Sequence, residues 1–337
     1  MKSQYSVGVI GGGAWGTALA IAANRAGSKV LLATRNRNVM EAVAATRVNE
    51  IYLPTIYIDP AIGITGDLSL ACRCDFLVLA MPSQCVRSAC IAISDFIAPT
   101  VPLVVGSKGI ERGSLLFMSE VVSSVLPNNP LASLSGPNFA VEVAGGLPTA
   151  TTIACRDPEV GEALLYALGG RLFRPYLTDD IISTQVGGAV KNVIAIACGI
   201  AAGRGMGENA RAALITRGFA EMGRLALAKG GRMETLVGLS GLGDLVLTAA
   251  SVTSRNMAFG MALSSGGDTA EMMLGEGRNV LEGAMAAEST VRLAAKFGIE
   301  MPICAAVHRV LSEHANIDET IEGLLARPFA AEYLLRA

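Results

Sequence analysis

Two lysines occur in sequence contexts that favour proton-transfer chemistry. Lys191 interrupts the apolar, glycine-rich segment 186–194, and lysine is seldom fully buried without a reason. A desolvated lysine near a second cation has a lowered pKa and can exchange a proton near neutrality. Lys191 is therefore our candidate acid/base, and Lys108, which follows a predicted strand end, is its candidate cationic neighbour. Two alternatives stay open: Lys108 as a surface lysine, and Lys191 with its stem on the core and its ammonium in water.

One aspartate and a polar triplet complete the candidate chemistry of the second half. Asp244 lies in the glycine-rich segment 238–245, where an uncompensated buried carboxylate would be costly. We expect it to meet a lysine or a substrate hydroxyl, with an ordinary helix N-cap as the alternative. Ser254, Arg255 and Asn256 precede an apolar helix. A planar guanidinium beside an amide suits a phosphate group, and helix capping by Ser254 is the competing explanation.

A glycine-rich turn near the N-terminus favours a phosphate-bearing cofactor. Gly11, Gly13 and Gly16 fit the pattern G-x-G-x-x-G between an apolar strand-like run, 7–10, and a helix-forming segment, 17–25. In this context the glycines permit the turn, the approach of a pyrophosphate and close helix–strand packing. The helix N-terminus adds free N–H groups and a partial positive charge. The segment therefore predicts dinucleotide binding.

The identity of the nucleotide depends on the residues after the second strand. An NAD site usually presents an acid there, to bind the ribose 2′-hydroxyl, but this chain has Arg35 in a basic stretch, 34–37. An arginine can bind a 2′-phosphate through paired charge-assisted hydrogen bonds; a solvated basic loop is the alternative. We expect NADP or NAD as the cofactor, with NADPH preferred.

A glycine- and proline-rich loop, 135–150, follows a further predicted strand. Backbone N–H groups of Gly136, Asn138 and Ala140 are placed to line a polar pocket. A stiff connection without a binding role is the alternative.

The order of the predicted elements favours two domains. Strand-like segments are Tyr5–Ile10, Lys29–Thr34, Phe76–Met81, Leu103–Val105, Leu131–Ser135, Thr149–Ala154 and Phe173–Leu177, with helical stretches between them. This alternation is typical of an α/β, Rossmann-type, doubly wound and mostly parallel sheet. From about Thr178 the pattern becomes helical throughout. We expect a dinucleotide-binding domain over residues 1–183 and an all-α substrate and catalytic domain over residues 184–337.

Composition excludes several functional classes. The net charge is −2 and no basic tract occurs, so nothing favours a nucleic-acid partner. A mean hydropathy of +0.47 raises the question of a membrane, but charges and glycines interrupt the best candidate segment. The seven cysteines have no framework spacing and no nearby histidine for zinc, which favours reduced thiols in a cytoplasm.

Further expectations concern location and assembly. The N-terminal apolar run imitates a signal peptide, but its glycines stand at the dinucleotide-turn positions and no clear cleavage site follows. We expect a cytoplasmic protein with no membrane insertion and no metal. The apolar helical half favours a homodimer.

Eight motifs in order give the chain a specific resemblance. They are GGGAWGTALA, Asn49-x-x-Tyr52-Leu53-Pro54, Pro82-Ser83-Gln84, Ser107-Lys108-Gly109-Ile110-Glu111, SGPNFAVEV, Lys191-Asn192, GLSGLGDLVLT and Ser254-Arg255-Asn256. The set resembles the bacterial NAD(P)-dependent glycerol-3-phosphate dehydrogenase family, from about residue 7 to residue 303.

The resemblance implies a reversible hydride transfer between NAD(P)H and dihydroxyacetone phosphate, giving sn-glycerol 3-phosphate for phospholipid synthesis. The family's proton donor/acceptor falls on Lys191. Its substrate contacts fall on Lys108, Gly136, Asn138, Asp244, Ser254, Arg255 and Asn256. Its cofactor contacts fall on Ala14, Trp15, Arg35, Lys108, Ala140, Arg255, Val280 and Glu282.

The chain departs from the family pattern at a few of these positions. Ala14 stands where serine is frequent, which removes a hydroxyl but keeps the backbone N–H; Asn138 stands where serine or threonine is common. Two other functions remain open: a β-hydroxyacid or 6-phosphogluconate-like dehydrogenase, distinguished by substrate choice, and a catalytically idle nucleotide sensor, distinguished by the lack of turnover.

Overall fold

The computed structural model describes residues 2, 4–264 and 282–329. Internal contacts divide the chain into two compact units. The sheet unit comprises the chain up to Ser107 together with Met118–Ile181, and the helical unit comprises Lys108–Phe117 together with the chain from Ile182. The contacts therefore group an excursion of ten residues, 108–117, with the helical unit, whereas the boundary expected from the sequence is a single point near residue 183.

The sheet unit contains an eight-stranded sheet in the order β10-β9-β8-β7-β6-β1-β2-β5. Its strands are β1 (Ser6–Ile10), β2 (Lys29–Ala33), β5 (Gly63–Thr65), β6 (Phe76–Leu79), β7 (Leu103–Val105), β8 (Leu131–Ser135), β9 (Thr149–Cys155) and β10 (Phe173–Thr178). Every neighbouring pair is parallel except β8 with β9. The predicted doubly wound, mostly parallel sheet is thus confirmed.

Burial explains why these segments form strands. All residues of β6 and β7 are buried, as expected for central strands covered on both faces, which read as continuous apolar runs. A two-stranded antiparallel pair, β3 (Val48–Asn49) with β4 (Leu53–Tyr57), lies outside the main sheet. The sequence did not predict this pair.

Helices connect the strands of the sheet unit. They are α1 (Ala14–Arg25), α2 (Arg37–Thr46), α3 (Leu68–Ala71), α4 (Val86–Ile93), α5 (Met118–Val125), α6 (Ala140–Gly145) and α7 (Pro158–Leu168). The side chains of Asn36 and Asp157 cap α2 and α7 by accepting backbone N–H groups, which satisfies donors that a helix start leaves free. Helix α5 begins at Met118, directly after Phe117, which pairs with Ile110 in an antiparallel bridge.

The helical unit is built around one long helix. Its helices are α8 (Ile181–Gly203), α9 (Gly207–Ala228), α10 (Met233–Leu236), α11 (Asp244–Ala250), α12 (Arg255–Ser264), α13 (Glu282–Lys296), α14 (Pro302–Ser312) and α15 (Ile317–Leu325), with a π-helical turn at Leu239–Gly243. Val190, Val193 and Ile194 of α8 are fully buried in the core of this unit. The predicted helical character of the second half is confirmed.

Among the described residues, α8 alone is long and apolar enough to cross a membrane. Most of its span, 83%, is buried inside the protein. The core helix of a globular unit meets the same criteria of length and composition, so α8 gives only weak evidence for a membrane.

Candidate active site

A buried ion-pair cluster lies in the helical unit. Lys191 Nζ on α8 pairs with Asp244 Oδ1, and Lys108 Nζ pairs with Asp244 Oδ2 at 2.7 Å. Asp244 is fully buried and Lys191 is 7% exposed. The sequence expectation that Asp244 meets a lysine therefore agrees with the geometry, and Asp244 meets both lysines.

A threonine one turn further along α11 fixes the orientation of this cluster. Thr248 Oγ1 donates its hydrogen to the backbone carbonyl of Asp244 at 2.7 Å. The lone pairs of the same hydroxyl are then free to accept, and one accepts from Lys191 Nζ at 3.0 Å. The Lys191 ammonium therefore donates to Asp244 and to Thr248. Its third N–H has no hydrogen-bond partner among the described residues. Sequence reasoning missed Thr248 as a site residue, although its spacing of four from Asp244 on a helix was a usable signal.

Close packing of glycines brings the two parts of the cluster together. A Cβ on Gly187, one turn before Lys191, would overlap the carbonyl of Ser240 in the π-helical turn. The absence of a side chain lets α8 contact the backbone that leads into α11. The glycine-rich stretch around Lys191 predicts this kind of close approach.

Burial perturbs the protonation of Lys191. Removal from water lowers its pKa to about 8, and the nearby charge of Lys108 acts in the same direction, while Asp244 opposes the shift. With this pKa, the Lys191 ammonium can give a proton near neutral pH and its neutral amine can take one.

A second polar network runs beside the first and joins α8, α12 and α13. Asn256 Nδ2 donates to Asn192 Oδ1 at 3.0 Å, and Asn256 Oδ1 accepts the Gly283 N–H at 3.1 Å. Asn192 Nδ2 lies 3.4 Å from Glu282 Oε2. Burial raises the pKa of Glu282, while the charges of Arg255 and Lys108 oppose the rise. Within the described part of the chain, the second amide hydrogen of Asn256 has no acceptor and is available to a ligand.

The start of α12 carries the candidate phosphate group contacts. Ser254 Oγ accepts a hydrogen bond from the Met257 N–H at 3.4 Å. Ser254 therefore caps α12, and this contact does not prevent it from also contacting a ligand. Arg255 is exposed, and its charge acts on Glu282. Its guanidinium is accessible to an anion.

The glycine-rich turn of the sheet unit has the geometry of a nucleotide site. Gly11 has φ = 128°, and a Cβ there would overlap the carbonyl of Ala80. A Cβ on Gly16 would overlap the carbonyl of Gly11, so α1 packs tightly on the turn. Gly13 is the N-cap of α1, with no side chain capping the helix and open space where its Cβ would be. Free N–H groups facing open space at a helix start fit a pyrophosphate.

The remaining cofactor candidates lie near this turn or at the end of β2. Ala14 is the first residue of α1, and Trp15 Nε1 donates to the carbonyl of Gly106 at 3.2 Å. Arg35 is exposed, whereas Arg37 pairs with Glu41 at 2.6 Å. Of the two arginines, Arg35 is the one that forms no ion pair with the residues the structure describes.

The loop after β8 is held by its neighbour strand. Asn138 Nδ2 donates to the carbonyl of Ala150 and its Oδ1 accepts from Thr151, both at 3.0 Å. Gly136 is buried against Thr151, and Ala140 begins α6. The amide of Asn138 is therefore already engaged with β9. Val280, a predicted cofactor contact, lies outside the described residues.

Among the residues that the structure describes, no group of three or more His, Cys, Asp or Glu side chains is placed to hold a metal ion.

Comparison with known proteins identifies the family. Residues 6–161 match the model of the NAD-dependent glycerol-3-phosphate dehydrogenase N-terminus, and residues 180–322 match that of the C-terminus. A glycerol-3-phosphate dehydrogenase [NAD(P)+] of Rhodospirillum rubrum is 51% identical, with 97% of this chain and 93% of the relative covered. One of Maricaulis maris is 49% identical over 98% of this chain and 99% of the relative.

A solved structure agrees with these relatives. The crystal structure of glycerol-3-phosphate dehydrogenase from Coxiella burnetii superposes with a TM-score of 0.91 at 38% identity. The superposition covers 96% of this chain and 99% of the Coxiella burnetii chain. The fold, the two family models and the full-length relatives agree, and the chain belongs to the NAD-dependent glycerol-3-phosphate dehydrogenase family.

Proposed function

We propose that the protein catalyses reversible hydride transfer between NAD(P)H and dihydroxyacetone phosphate, giving sn-glycerol 3-phosphate. The observation that carries the proposal is the Lys191 ammonium, buried and ion-paired with Asp244, with one N–H left over for a substrate oxygen. Relatives of about 50% identity that bear the name of this activity support it.

In this reaction Lys191 transfers the proton. Its third N–H donates to the ketone oxygen at C2, and the proton moves to that oxygen as negative charge develops on it. Asp244 and Thr248 hold the other two N–H bonds, so the ammonium keeps one orientation throughout. In the oxidative direction, neutral Lys191 takes the proton from the C2 hydroxyl.

Lys108 contributes electrostatic stabilisation. Its ammonium is anchored on the same carboxylate as Lys191, and a fixed positive charge near a developing alkoxide lowers the barrier. The same charge lowers the pKa of Lys191, which makes proton donation easier.

Substrate phosphate binding belongs to the start of α12. Arg255 supplies a planar fork of donors, and Asn256 supplies its remaining amide hydrogen, with Ser254 beside them. Binding energy from the phosphate, remote from C2, holds the reacting carbon in place. The resemblance adds Gly136 and Asn138 as substrate contacts.

The cofactor is NADP or NAD, whose reduced form would supply the hydride for reduction and whose oxidised form would accept it in the reverse direction. The glycine turn fits the pyrophosphate of the cofactor, because no side chain caps the start of α1 and there is open space beside Gly13. The residues of this turn are Gly11, Gly13, Ala14 and Gly16. Arg35 is exposed at the end of β2, and a 2′-phosphate is the group its guanidinium would bind, so we propose a preference for NADPH. The family pattern adds Trp15, Lys108, Ala140, Arg255 and Glu282 as cofactor contacts.

The cellular role follows from the product. sn-Glycerol 3-phosphate is the backbone precursor of glycerophospholipids, so the enzyme would supply phospholipid synthesis with this precursor. We propose that it acts in the cytoplasm. A homodimer is proposed from the apolar character of the helical unit.

The Lys191→Ala variant tests the function. We expect turnover of dihydroxyacetone phosphate to be abolished while NADPH binding, followed by its fluorescence, stays within about twofold of wild type, because Lys191 carries the proton and not the cofactor. Lys296→Ala removes a lysine from the exposed end of α13 and should leave both quantities unchanged. Retained turnover in Lys191→Ala would remove the assignment.

A further inference from the structure

Asn49, the last residue of β3, is fully buried against the glycine-rich turn. Its Nδ2 donates to the carbonyl of Gly12 and to Thr17 Oγ1, both at 2.9 Å. Its Oδ1 accepts the Tyr52 N–H at 3.3 Å. One side chain thus joins the β3–β4 pair, the glycine turn and the first part of α1.

The bond to Gly12 fixes the orientation of a particular peptide plane. The carbonyl of Gly12 and the N–H of Gly13 belong to the same planar, trans peptide group, so they point in opposite directions. When Asn49 holds the carbonyl on its own side, the Gly13 N–H must point away from Asn49. A Cβ on Gly13 would meet open space, which is where a ligand of this turn has room.

A second contact restrains the same peptide from the other neighbour. A Cβ on Gly12 would lie 2.6 Å from Thr34 Oγ1, so the Gly12 backbone is packed between Thr34 and Asn49. The bond from Asn49 to Thr17 extends the restraint into α1, where Thr17 N–H donates to the Gly13 carbonyl at 3.0 Å. Both sides of Gly13 are therefore held.

We infer that Asn49 is a positioning residue for the dinucleotide: by holding the Gly12 carbonyl it aims the Gly13 N–H at the pyrophosphate. The inference rests on the cofactor site of the proposed function. We expect its effect to be on cofactor affinity, because the side-chain bonds of Asn49 go to Gly12, to Thr17 and from Tyr52.

A purely structural role for Asn49 makes a different prediction. If Asn49 only closes the β3–β4 turn, the bonds that matter come from the Tyr52 N–H, which reaches Asn49 Oδ1 at 3.3 Å and the Asn49 backbone carbonyl at 3.2 Å. Asn49→Leu keeps the approximate size of the side chain and the backbone bond, adds no charge near the pyrophosphate, and removes the N–H donors to Gly12 and Thr17. A structural role then predicts a lower Tm with an unchanged Kd for NADPH, whereas the positioning role predicts a raised Kd.

Asn129 provides a matched control within the sheet unit. Its Nδ2 also donates to two acceptors, the carbonyls of Ala98 and Val101, both at 2.9 Å, and neither lies in the glycine turn. Asn129→Ala removes a comparable pair of bonds and should affect thermal stability without affecting the cofactor.

The experiment measures NADPH dissociation constants by fluorescence titration of the full chain, with Tm and steady-state kinetics alongside. We expect Asn49→Ala and Asn49→Leu to raise the Kd for NADPH about tenfold, equivalent to about 1.4 kcal/mol. The KM for dihydroxyacetone phosphate and kcat, both at saturating NADPH, should stay within about twofold. Asn129→Ala should leave the Kd for NADPH within about twofold of wild type.

Two results would overturn the inference: a Kd for NADPH in Asn49→Leu within about twofold of wild type, or an equal rise in Asn129→Ala. Failure of the proposed function is distinguishable, because wild-type protein would then fail to bind NADPH or to turn over substrate.

Discussion

Substituting Asp244 by asparagine removes the counter-charge of the two clustered lysines while keeping the shape of the side chain. Asp244 is fully buried and paired with both Lys108 and Lys191. Asparagine leaves Lys191 buried beside another cation, so the influence that raises its pKa disappears while burial and Lys108 continue to lower it. The protonated form of Lys191 then becomes scarce at neutral pH.

The size of the effect follows from the geometry. Two unit charges about 4 Å apart interact with about 4 kcal/mol at an effective dielectric constant of about 20, and about 1.4 kcal/mol corresponds to one pH unit. Allowing for partial relaxation, we expect the midpoint of the pH–rate profile to move about two units towards acid. Near pH ~7 the fraction of protonated Lys191 would fall from about nine tenths to about one tenth, and reductive kcat would fall about tenfold.

The assay follows NADPH consumption with saturating dihydroxyacetone phosphate across the range from about pH 5.5 to about pH 9. In wild type, kcat for reduction should decline as pH rises through about 8, because the Lys191 ammonium, whose pKa is about 8, loses its proton. The oxidative reaction should have the opposite dependence. Asp157→Asn is the matched control, because Asp157 is an exposed helix cap and asparagine also caps helices.

If the decline of reductive kcat at high pH has the same midpoint in Asp244→Asn as in wild type, the assignment of that decline to Lys191 is refuted. A uniform loss of kcat at every pH would also refute the electrostatic reasoning, because it would mean that Asp244 acts only through geometry. Loss of one partner of a buried pair costs about 3 kcal/mol or more of folding stability, so circular dichroism must first show that the variant is folded at the assay temperature.

Three further predictions concern the phosphate, the cofactor and folding stability. Arg255→Ala should raise the KM for dihydroxyacetone phosphate at least about tenfold, since a charge-assisted bond to phosphate is lost; an equal loss with unphosphorylated dihydroxyacetone would argue against that role. Arg35→Ala should raise the KM for NADPH about tenfold and leave that for NADH unchanged; equal rises would mean that Arg35 does not bind the 2′-phosphate. Glu221 is buried, accepts the N–H groups of Ile303 and Cys304, and has a pKa raised by burial. A raised carboxyl pKa contributes stability that is lost as pH rises through that pKa. The free energy of unfolding of Glu221→Gln, measured in urea, should therefore increase relative to that of wild type as the pH rises. A difference in unfolding free energy that does not change with pH would contradict this.

Local patterns in the sequence predict much of the fold, and the differences have physical causes. The bounds of β7 and β8 agree with the predicted segments, because continuous apolar runs between turn residues identify buried strands. The antiparallel direction of β9 against β8 depends on tertiary packing, and its residues carry no signal for it. The β3–β4 pair escaped prediction because β3 has only two residues, too few for a period to be recognised.

The site shows the same division between local and distant information. Lys191 and Asp244 stand out because a charge in an apolar, glycine-rich stretch is unusual. Thr248 and Asn49 fall within motifs that carry the family resemblance, but their residue types alone indicate no role, since threonine and asparagine are ordinary in a helix and at a turn. Their roles arise from partners distant in sequence: Asn49 bonds to a carbonyl 37 residues away, and Thr248 to a lysine 57 residues away.

The excursion of residues 108–117 into the helical unit has a consequence for synthesis on the ribosome. Ile110, Leu115 and Phe117 are buried in the core of the helical unit, yet the long helix of that core begins only at Ile181. At the usual pace of about 5–20 residues per second, these apolar side chains leave the ribosome several seconds before the helix that will cover them. During translation the nascent chain therefore exposes the apolar side chains of residues 108–117, to which a chaperone can bind. A fragment ending near residue 183 would leave the same side chains exposed permanently.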